Sequence, residues 1–454
     1  MNKVDAFFSQ WDTNQTPGCV LAVIRDSAII YERAYGMADL ERHVPLSTQS
    51  VFDIGSIGKQ FTAMLIALLA QERRLALDDS IHTYVPELPD YGDPIAIRHL
   101  IHHTSGLLDY CTLMGLANMP FENRYDEDEL LALITRQKLL NFKPGDEFLY
   151  SNTGYFLLGI IAQRVAGRPL TTLLREYILD RLGMKATTFN GPMQQIVKNR
   201  AVGYAPAGNE GYYTEISFCG PYGDGPLFST IGDLFLWDQN FYHNQLGDGS
   251  QQLIDLMQTP GVLNSGEALD YAFGLAVREY RGAKMVSHSG GWAGYVSHML
   301  RFPEQNFSVI VLANLNNMPV RELALQVADL YLSDVFTPAE TPAVEPSPVT
   351  LSSQQIEALT GFYRSEKSGS ILELNGLTLQ FYDTPLPLIA YSPTRLKTTG
   401  GGPSIEIDVL DETRLNVTFY GQTETYSRVN VAPPQAGEIE ACAGDYYSQA
   451  LSIT

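Results

Sequence analysis

A proline-rich stretch divides this chain into two parts with different patterns. Residues 337–348 read TPAETPAVEPSP, four prolines among small and polar residues, which is typical of a semi-rigid linker. Beyond it, short runs such as RLNVTFY and TYSRVNV are separated by turn residues at hairpin intervals. We therefore predict a large domain over residues 1–336, a linker over 337–350, and an antiparallel β-barrel or sandwich over 351–435.

The tail also contains an internal repeat. Residues 356–366 (IEALTGFYRSE) and 439–449 (IEACAGDYYSQ) agree at six of eleven positions, 83 residues apart. Either the natural chain continues into a second barrel, or the repeat is a strand that completes the first one. We prefer the former, so that residues 436–454 would begin a truncated second repeat.

Charge and composition favour an enzyme over a nucleic-acid or membrane protein. The 454 residues are 45% hydrophobic, enough for large cores in two or three domains. A net charge of −21 would repel nucleic acid and anionic membranes. The same acidic field suits a substrate with a free amino group.

The chain shows no pattern for export or membrane insertion. Its N-terminus lacks a long apolar core, and no stretch of about 18 apolar residues occurs. The four cysteines (Cys19, Cys111, Cys219 and Cys442) are scattered and form no C-x-x-C pair. These features predict a cytoplasmic protein with buried or free thiols.

Ser56 is the first candidate for chemistry. Apolar residues recur at helical spacing over residues 60–71, so a buried helix should begin near Ser56. A serine in a first helical turn meets unpaired N–H groups and the positive end of the helix dipole. Lys59 lies on the same face and can reach its oxygen, although accepting the proton requires that the charged amine be disfavoured. The structural alternative is a helix cap beside a solvated lysine.

Tyr150, Ser151 and Asn152 form the second candidate group. They follow the turn signal KPGD at residues 143–146 and precede an apolar helix predicted over residues 155–166. A tyrosine at such a junction can point its phenol into a cleft and exchange a proton with a serine. Asn152 could donate to a substrate carbonyl. The alternative is a helix cap and a packing tyrosine.

The third group is His288, Ser289, Gly290 and Gly291, between runs that look like strands. Glycines at a strand edge let a ligand approach the backbone. The N–H groups of Gly291 and Ser56 would then form a two-donor oxyanion hole, with His288 at the leaving-group side. Taken alone, this segment also fits a bulged turn with a hydrogen-bonded histidine.

In their order and spacing the three motifs resemble the active site of the serine β-lactamase and penicillin-binding-protein superfamily. The similarity covers about residues 5–335 and is greatest to its class C-like branch, which includes D-aminopeptidases, D-alanyl-D-alanine carboxypeptidases and esterases. The opening hairpin at residues 19–41, the HTSGL segment at 103–107 and the helix start at 225–237 fit the same family. The resemblance implies an α+β fold: an antiparallel sheet flanked by helices with an all-helical subdomain, followed by a small, lipocalin-like antiparallel barrel.

The resemblance also implies roles for the residues. Ser56 would be the acylated nucleophile, Lys59 and Tyr150 the proton-transfer pair, and Asn152 a substrate contact. His288 stands where β-lactamases carry a lysine that binds a carboxylate. A histidine is a weaker anion anchor near neutral pH. The sequence therefore favours amide, peptide or ester substrates without a free carboxylate, above all those built on D-amino acids.

Other chemistries fit less well. The chain has no G-x-S-x-G elbow, no Walker loop and no Rossmann fingerprint. A metal site at His99, His102 and His103 is conceivable, but hydrogen bonding is the simpler role for these rings. We predict a serine hydrolase without cofactor or metal, acting on a small molecule or short peptide, with an open oligomeric state. A β-lactamase or carboxypeptidase, and a penicillin-binding sensor that stays acylated, are the alternatives.

Overall fold

The computed structural model describes residues 3–189, 196–217, 222–338, 348–365, 371–381, 384–399, 405–419, 422–429 and 450. The chain separates into two compact units, of which the first runs to Thr337 and the second starts at Pro338. Much of the predicted linker and nearly all of the predicted second repeat lie outside the described residues, so their bounds stay predictions.

The elements follow the chain in this order. The helices are α1 Lys3–Phe8, α2 Lys59–Gln71, α3 Ile97–Ile101, α4 Tyr110–Leu116, α5 Glu127–Thr135, α6 Asn152–Ala166, α7 Leu170–Leu174, α8 Asp180–Leu182, α9 Ile231–Asn240, α10 Gln251–Met257, α11 Val320–Tyr331 and α12 Ser353–Leu359. The strands are β1 Cys19–Arg25, β2 Ala28–Tyr35, β3 Met37–Asp39, β4 Val44–Pro45, β5 Phe52–Asp53, β6 Thr188–Phe189, β7 Tyr204–Pro206, β8 Tyr212–Thr214, β9 Leu227–Ser229, β10 Ala276–Tyr280, β11 Ala283–Trp292, β12 Tyr295–Phe302, β13 Phe307–Ala313, β14 Gly361–Ser365, β15 Ile371–Leu374, β16 Thr378–Phe381, β17 Thr384–Ser392, β18 Arg395–Thr398, β19 Ile405–Val409, β20 Arg414–Phe419 and β21 Gln422–Val429.

An antiparallel sheet of six strands forms the centre of the first unit. Its strand order is β10-β11-β12-β13-β1-β2. The central strands β1 and β13 are apolar except for Arg25 at the end of β1 and Ser308 in β13, because both sheet faces are covered. Val20 and Ile24 belong to the core shared with α2, α6 and α9, whereas Leu21 and Val23 belong to the core shared with α1 and α11. The predicted opening hairpin is confirmed as β1 and β2.

A helical layer lies against one face of this sheet. Between Asp53 and Thr188, a stretch described throughout, the chain forms helices α2 to α8 and no named strand. Helix α2 is buried on nearly every side, as expected from its mainly apolar sequence. The helices predicted over 60–71 and 155–166 are confirmed as α2 and α6, and α6 starts three residues earlier than predicted.

The second unit is a closed barrel. Strands β14 to β21 pair antiparallel in chain order, and β14 pairs with β21 to close the ring. Alternate residues such as Leu372 and Leu374, or Ile405 and Ile407, fill its interior, which is the pattern of a half-buried strand. The predicted fold class, an α+β sheet-and-helix domain followed by a small antiparallel barrel, is confirmed.

Two further predictions concern cysteines and membrane segments. Cys19 and Cys111 are free thiols, as predicted, while Cys219 and Cys442 lie outside the described residues. Among the helices described here, none has the length and apolar character needed to cross a bilayer.

Candidate active site

The first predicted motif lies at the start of buried helix α2. Gly55–Gly58 forms a 3-10 turn, and the α-helix follows at Lys59. The fully buried Lys59 amine donates to three oxygens, those of Ser56 (Oγ, 3.0 Å), Asn152 (Oδ1, 2.8 Å) and Asp224 (backbone carbonyl, 2.6 Å). Because two of these acceptors come from distant segments, they hold the amine against the Ser56 hydroxyl.

The turn before Ser56 is held by its neighbours. Gly55 has φ +51°, a conformation that side chains disfavour. Its N–H donates to Asp53 Oδ1 at 2.8 Å, and the preceding Ile54 carbonyl accepts from Ser297 Oγ at 2.8 Å. Burial raises the pKa of Asp53 to about 7. The position of the Ser56 turn therefore depends on a buried carboxyl group and on a hydroxyl group from β12.

The second motif lies across from Lys59. Asn152 is the first residue of α6, and its N–H donates to Asp109 Oδ2 at 2.5 Å. Its side-chain nitrogen contacts Cys111 Sγ at 3.6 Å while its oxygen accepts from Lys59. The Tyr150 ring centroid is 5.1 Å from Lys59 Nζ, and the residue is 37% exposed. Tyr150 and Asn152 therefore border the same lysine.

The third motif lies on β11, where that strand extends beyond its neighbour. β10 pairs with β11 only as far as Ser287, so His288 to Trp292 pair with β12 alone. This confirms the predicted strand edge. The free edge packs on the Ser56 turn: a Cβ on Gly290 would lie 1.9 Å from the Ile54 carbonyl oxygen, and one on Gly55 would lie 2.7 Å from the Gly291 nitrogen. The glycines are needed because two backbones touch here.

His288 is buried beside this edge with both ring nitrogens engaged. Nδ1 lies 2.6 Å from the Ser289 carbonyl, which can only accept, so Nδ1 carries the proton. Nε2 then accepts from the Tyr271 hydroxyl at 2.9 Å. Burial, together with the charge of Lys59, lowers the pKa of His288 to about 4. His288 is a neutral ring with a fixed tautomer near pH 7.

The three histidines considered for a metal each bond to backbone. His99 Nδ1 accepts from the Ala96 N–H at 3.1 Å, His102 Nδ1 lies 3.2 Å from the Tyr271 carbonyl, and His103 Nδ1 accepts from the Ser151 N–H at 3.2 Å. Within the described ranges, no three His, Cys, Asp or Glu side chains form a metal-binding group.

Sequence reasoning missed three residues of this site. Asp224 supplies a carbonyl to Lys59 and accepts from the Tyr110 hydroxyl at 2.8 Å, and burial raises the pKa of its carboxyl group. Tyr271 binds His288, and Ser297 binds the Ser56 turn. Asp224 follows Gly223 just before the predicted helix start, and this position was the only feature of the sequence that could have indicated it. Tyr271 and Ser297 had none.

Buried titratable groups make stability depend on pH. The pKa is lowered by burial for His102, His103, His288 and His298, and is raised for Asp53 and Asp224. As pH falls below 6.5, these four histidines become protonated in the unfolded chain but stay neutral in the native protein. This difference in proton binding destabilises the fold. The native Asp53 carboxyl group holds a proton that the unfolded chain has released, which offsets about a quarter of this. We expect the free energy of unfolding to be flat above pH 7 and to fall by about 3 kcal/mol per pH unit between pH 6 and 5.

Urea unfolding at several pH values measures this slope. His43, which is exposed, gives the control: His43→Gln should leave the slope unchanged. Equal stability at pH 7.5 and 5.0 would contradict the burial of these neutral rings.

Comparison with known proteins agrees with this geometry. The beta-lactamase family model matches residues 4–332. Penicillin-binding protein 4* of Bacillus subtilis is 31% identical over 67% of this chain and 69% of its own length. The D-aminopeptidase of Gluconobacter oxydans is 27% identical over 84% of this chain and 70% of its own. The octameric penicillin-binding protein homologue from Pyrococcus abyssi superimposes with a TM-score of 0.68 at 25% identity, over 94% of this chain and all of that one. The chain belongs to the beta-lactamase family and is a serine hydrolase.

Proposed function

We propose that the protein hydrolyses amides, short peptides or esters of D-amino acids through an acyl ester on Ser56. The contact between the buried Lys59 amine and the Ser56 hydroxyl, at 3.0 Å, is the observation that carries this proposal. A serine is a weak nucleophile until a base takes its proton. Lys59 is held in place for that task by Asn152 and Asp224.

Acylation then follows from the positions of these groups. In its neutral form Lys59 donates two N–H bonds, to Asn152 and Asp224, and turns its lone pair to Ser56. The Ser56 oxygen attacks the substrate carbonyl carbon as its proton passes to Lys59. The tetrahedral oxyanion is stabilised by the N–H groups of Ser56 and Gly291. Gly290 provides the close approach of β11 to this position.

The leaving group departs with the same proton. Tyr150, beside Lys59 and open to solvent, passes it to the leaving amine or alcohol as the C–N or C–O bond breaks. A water molecule then attacks the acyl carbon and transfers a proton to the Tyr150 and Lys59 pair. The bond between the acyl carbon and Ser56 Oγ breaks, the pair returns the proton to Oγ, and the acid is released. Each turnover consumes one water and needs no cofactor.

His288 supports the choice of substrate. Its ring is buried, neutral near pH 7 and bonded through both nitrogens, so it offers no positive charge to a substrate carboxylate. Its role in proton transfer stays a prediction, since Nε2 must first leave Tyr271. Substrates with a free amino group and no carboxylate at the scissile end suit a site that is bordered by this neutral ring. The D-aminopeptidase relative supports the same class.

A penicillin-recognising protein is the second candidate. The 31% identity to penicillin-binding protein 4* favours it, and the same Ser56, Lys59 and Tyr150 serve acylation by a β-lactam. It divides into an enzyme that turns over β-lactams or D-Ala-D-Ala peptides and a sensor that stays acylated. The rate of deacylation separates these from each other and from the first proposal.

The test combines intact-protein mass with turnover. Wild type and Ser56→Ala are incubated with an activated fluorophosphonate and, separately, with a penicillin, and hydrolysis of D- and L-alanine p-nitroanilide is followed. We expect one fluorophosphonate adduct on wild type, none on Ser56→Ala, and faster hydrolysis of the D isomer. A penicilloyl adduct that lasts for hours would favour the sensor, and labelling that persists in Ser56→Ala would reject Ser56 as nucleophile.

A further inference from the structure

His103 contacts Tyr150 and both of its neighbours in the chain. Its backbone carbonyl accepts from the Leu149 N–H at 2.9 Å, and its Nδ1 accepts from the Ser151 N–H at 3.2 Å. Its ring lies against the Tyr150 ring, with centroids 4.2 Å apart. The residues before and after Tyr150 are therefore bonded to the same histidine on which the Tyr150 ring rests.

The His103 ring itself has little freedom to move. It is 1% exposed and is packed between Tyr155 and Tyr271 at centroid distances of 5.2 and 4.6 Å. The His103 backbone has φ +58°, an unfavourable conformation for a non-glycine residue, which the surrounding bonds must hold. A residue kept in such a conformation at a catalytic cleft is a candidate for a positioning role.

Tyr150 depends on this support. It is more than a third exposed, so protein contacts cover only part of its ring. Burial and the charge of Lys59 lower the pKa of His103 well below its usual range, so Nδ1 keeps the lone pair that accepts from Ser151. A neutral ring also adds no charge near the Lys59 amine.

We propose that His103 is a positioning residue for catalysis: the bond from the Ser151 N–H to its Nδ1 sets the place of the Tyr150 phenol relative to Ser56 and Lys59. This rests on the proposed function, in which Tyr150 carries the proton. Losing the bond leaves a buried Ser151 N–H without an acceptor and lets the Tyr150 segment shift. A shift of about 1 Å at a catalytic group lowers turnover by about 100-fold.

Three substitutions separate the acceptor from the ring. His103→Phe keeps the ring and removes the acceptor, whereas His103→Asn keeps an acceptor close to the Nδ1 position and removes the ring. His103→Leu lacks both and is nearly isosteric with asparagine, so the Asn and Leu pair decides the question if the Phe variant does not fold.

His99 gives a matched control four residues earlier. Its Nδ1 also accepts a backbone N–H, from Ala96 at 3.1 Å, and it is only half-buried. His99→Phe removes the same kind of bond without touching Tyr150. Thermal unfolding of every variant shows whether lost activity follows lost stability.

The readouts are kcat and KM on D-alanine p-nitroanilide and the rate at which the fluorophosphonate labels Ser56. We expect His103→Phe and His103→Leu to lower kcat and the labelling rate about 100-fold with KM within about 3-fold of wild type. His103→Asn should restore kcat to within about 10-fold, and His99→Phe should leave it within about 2-fold.

Two results would overturn the inference: an active His103→Phe or His103→Leu, or a His103→Asn as slow as His103→Leu. Neither result contradicts the proposed function as long as the fluorophosphonate labels the wild type and not Ser56→Ala. Loss of that requirement in Ser56→Ala would instead reject the function on which the inference depends.

Discussion

Lys59→Met lowers kcat/KM by about 1,000-fold or more while changing the free energy of unfolding by no more than about 2 kcal/mol. The activity falls because a thioether cannot take the Ser56 proton, and general base catalysis contributes about 100- to 10,000-fold. The fold survives because methionine fills a similar volume and removes the cost of burying the amine, which offsets the donor lost by the Asn152 and Asp224 oxygens. Steady-state kinetics and urea unfolding measure the two effects on one sample.

Two further variants make this result specific. Lys59→Arg keeps a positive charge, but its guanidinium group does not give up a proton and cannot act as a base. It should therefore be as inactive as Lys59→Met. Lys284→Met, an exposed lysine on β11, should retain full activity. An active Lys59→Arg would mean that the charge at this position matters and that the proton moves by another route.

Asp238→Ala destabilises the first unit by about 3–5 kcal/mol, because it leaves a buried guanidinium without its counter-ion. Asp238 Oδ1 accepts from Arg301 Nε at 2.8 Å and from Ser308 Oγ at 2.8 Å, and the exposed fractions of the Arg301 and Asp238 side chains are 3% and 0%. Tryptophan fluorescence in urea reports this unit alone, because the three tryptophans of the chain all precede residue 337.

The exposed pair of Arg164 and Glu87 is the matched control. Its side chains are 35% and 47% exposed, so Glu87→Gln should cost less than about 1 kcal/mol. The double variant Asp238→Leu with Arg301→Met should regain much of the lost stability, since no buried charge remains unpaired. A single Asp238→Ala variant as stable as Glu87→Gln would contradict the buried ion pair.

The elements that could be predicted are those with a local signal. The apolar run Val20–Ile24 predicts β1, and helical spacing predicts α2 to within one residue. Helix α6 begins at Asn152 rather than at residue 155, because its first N–H group bonds to Asp109, 43 residues away. A cap supplied from so far along the chain leaves no local pattern.

The same reasoning explains what was missed in the site. The motifs identified Lys59 together with Ser56 and Asn152, whose side-chain oxygens the fold brings within hydrogen-bond distance of the Lys59 amine. The Tyr271 hydroxyl acts through a hydrogen bond to a histidine ring 17 residues away. The Ser297 hydroxyl acts through a hydrogen bond to a backbone carbonyl 243 residues away. A lone tyrosine or serine in a sequence carries no mark of such a partner, so only the fold can identify them.

The closure of the barrel has an evolutionary consequence. Its first and last strands are hydrogen-bonded neighbours, with Phe362 opposite Val429, so the chain leaves the ring about 5 Å from where it joined it. Such a module can be duplicated or deleted without changing the gap that its flanking segments must span. The 83-residue interval of the sequence repeat equals the 69 residues from Gly361 to Val429 plus 14 more, as expected if this module and a connecting segment were once gained or lost as a whole unit.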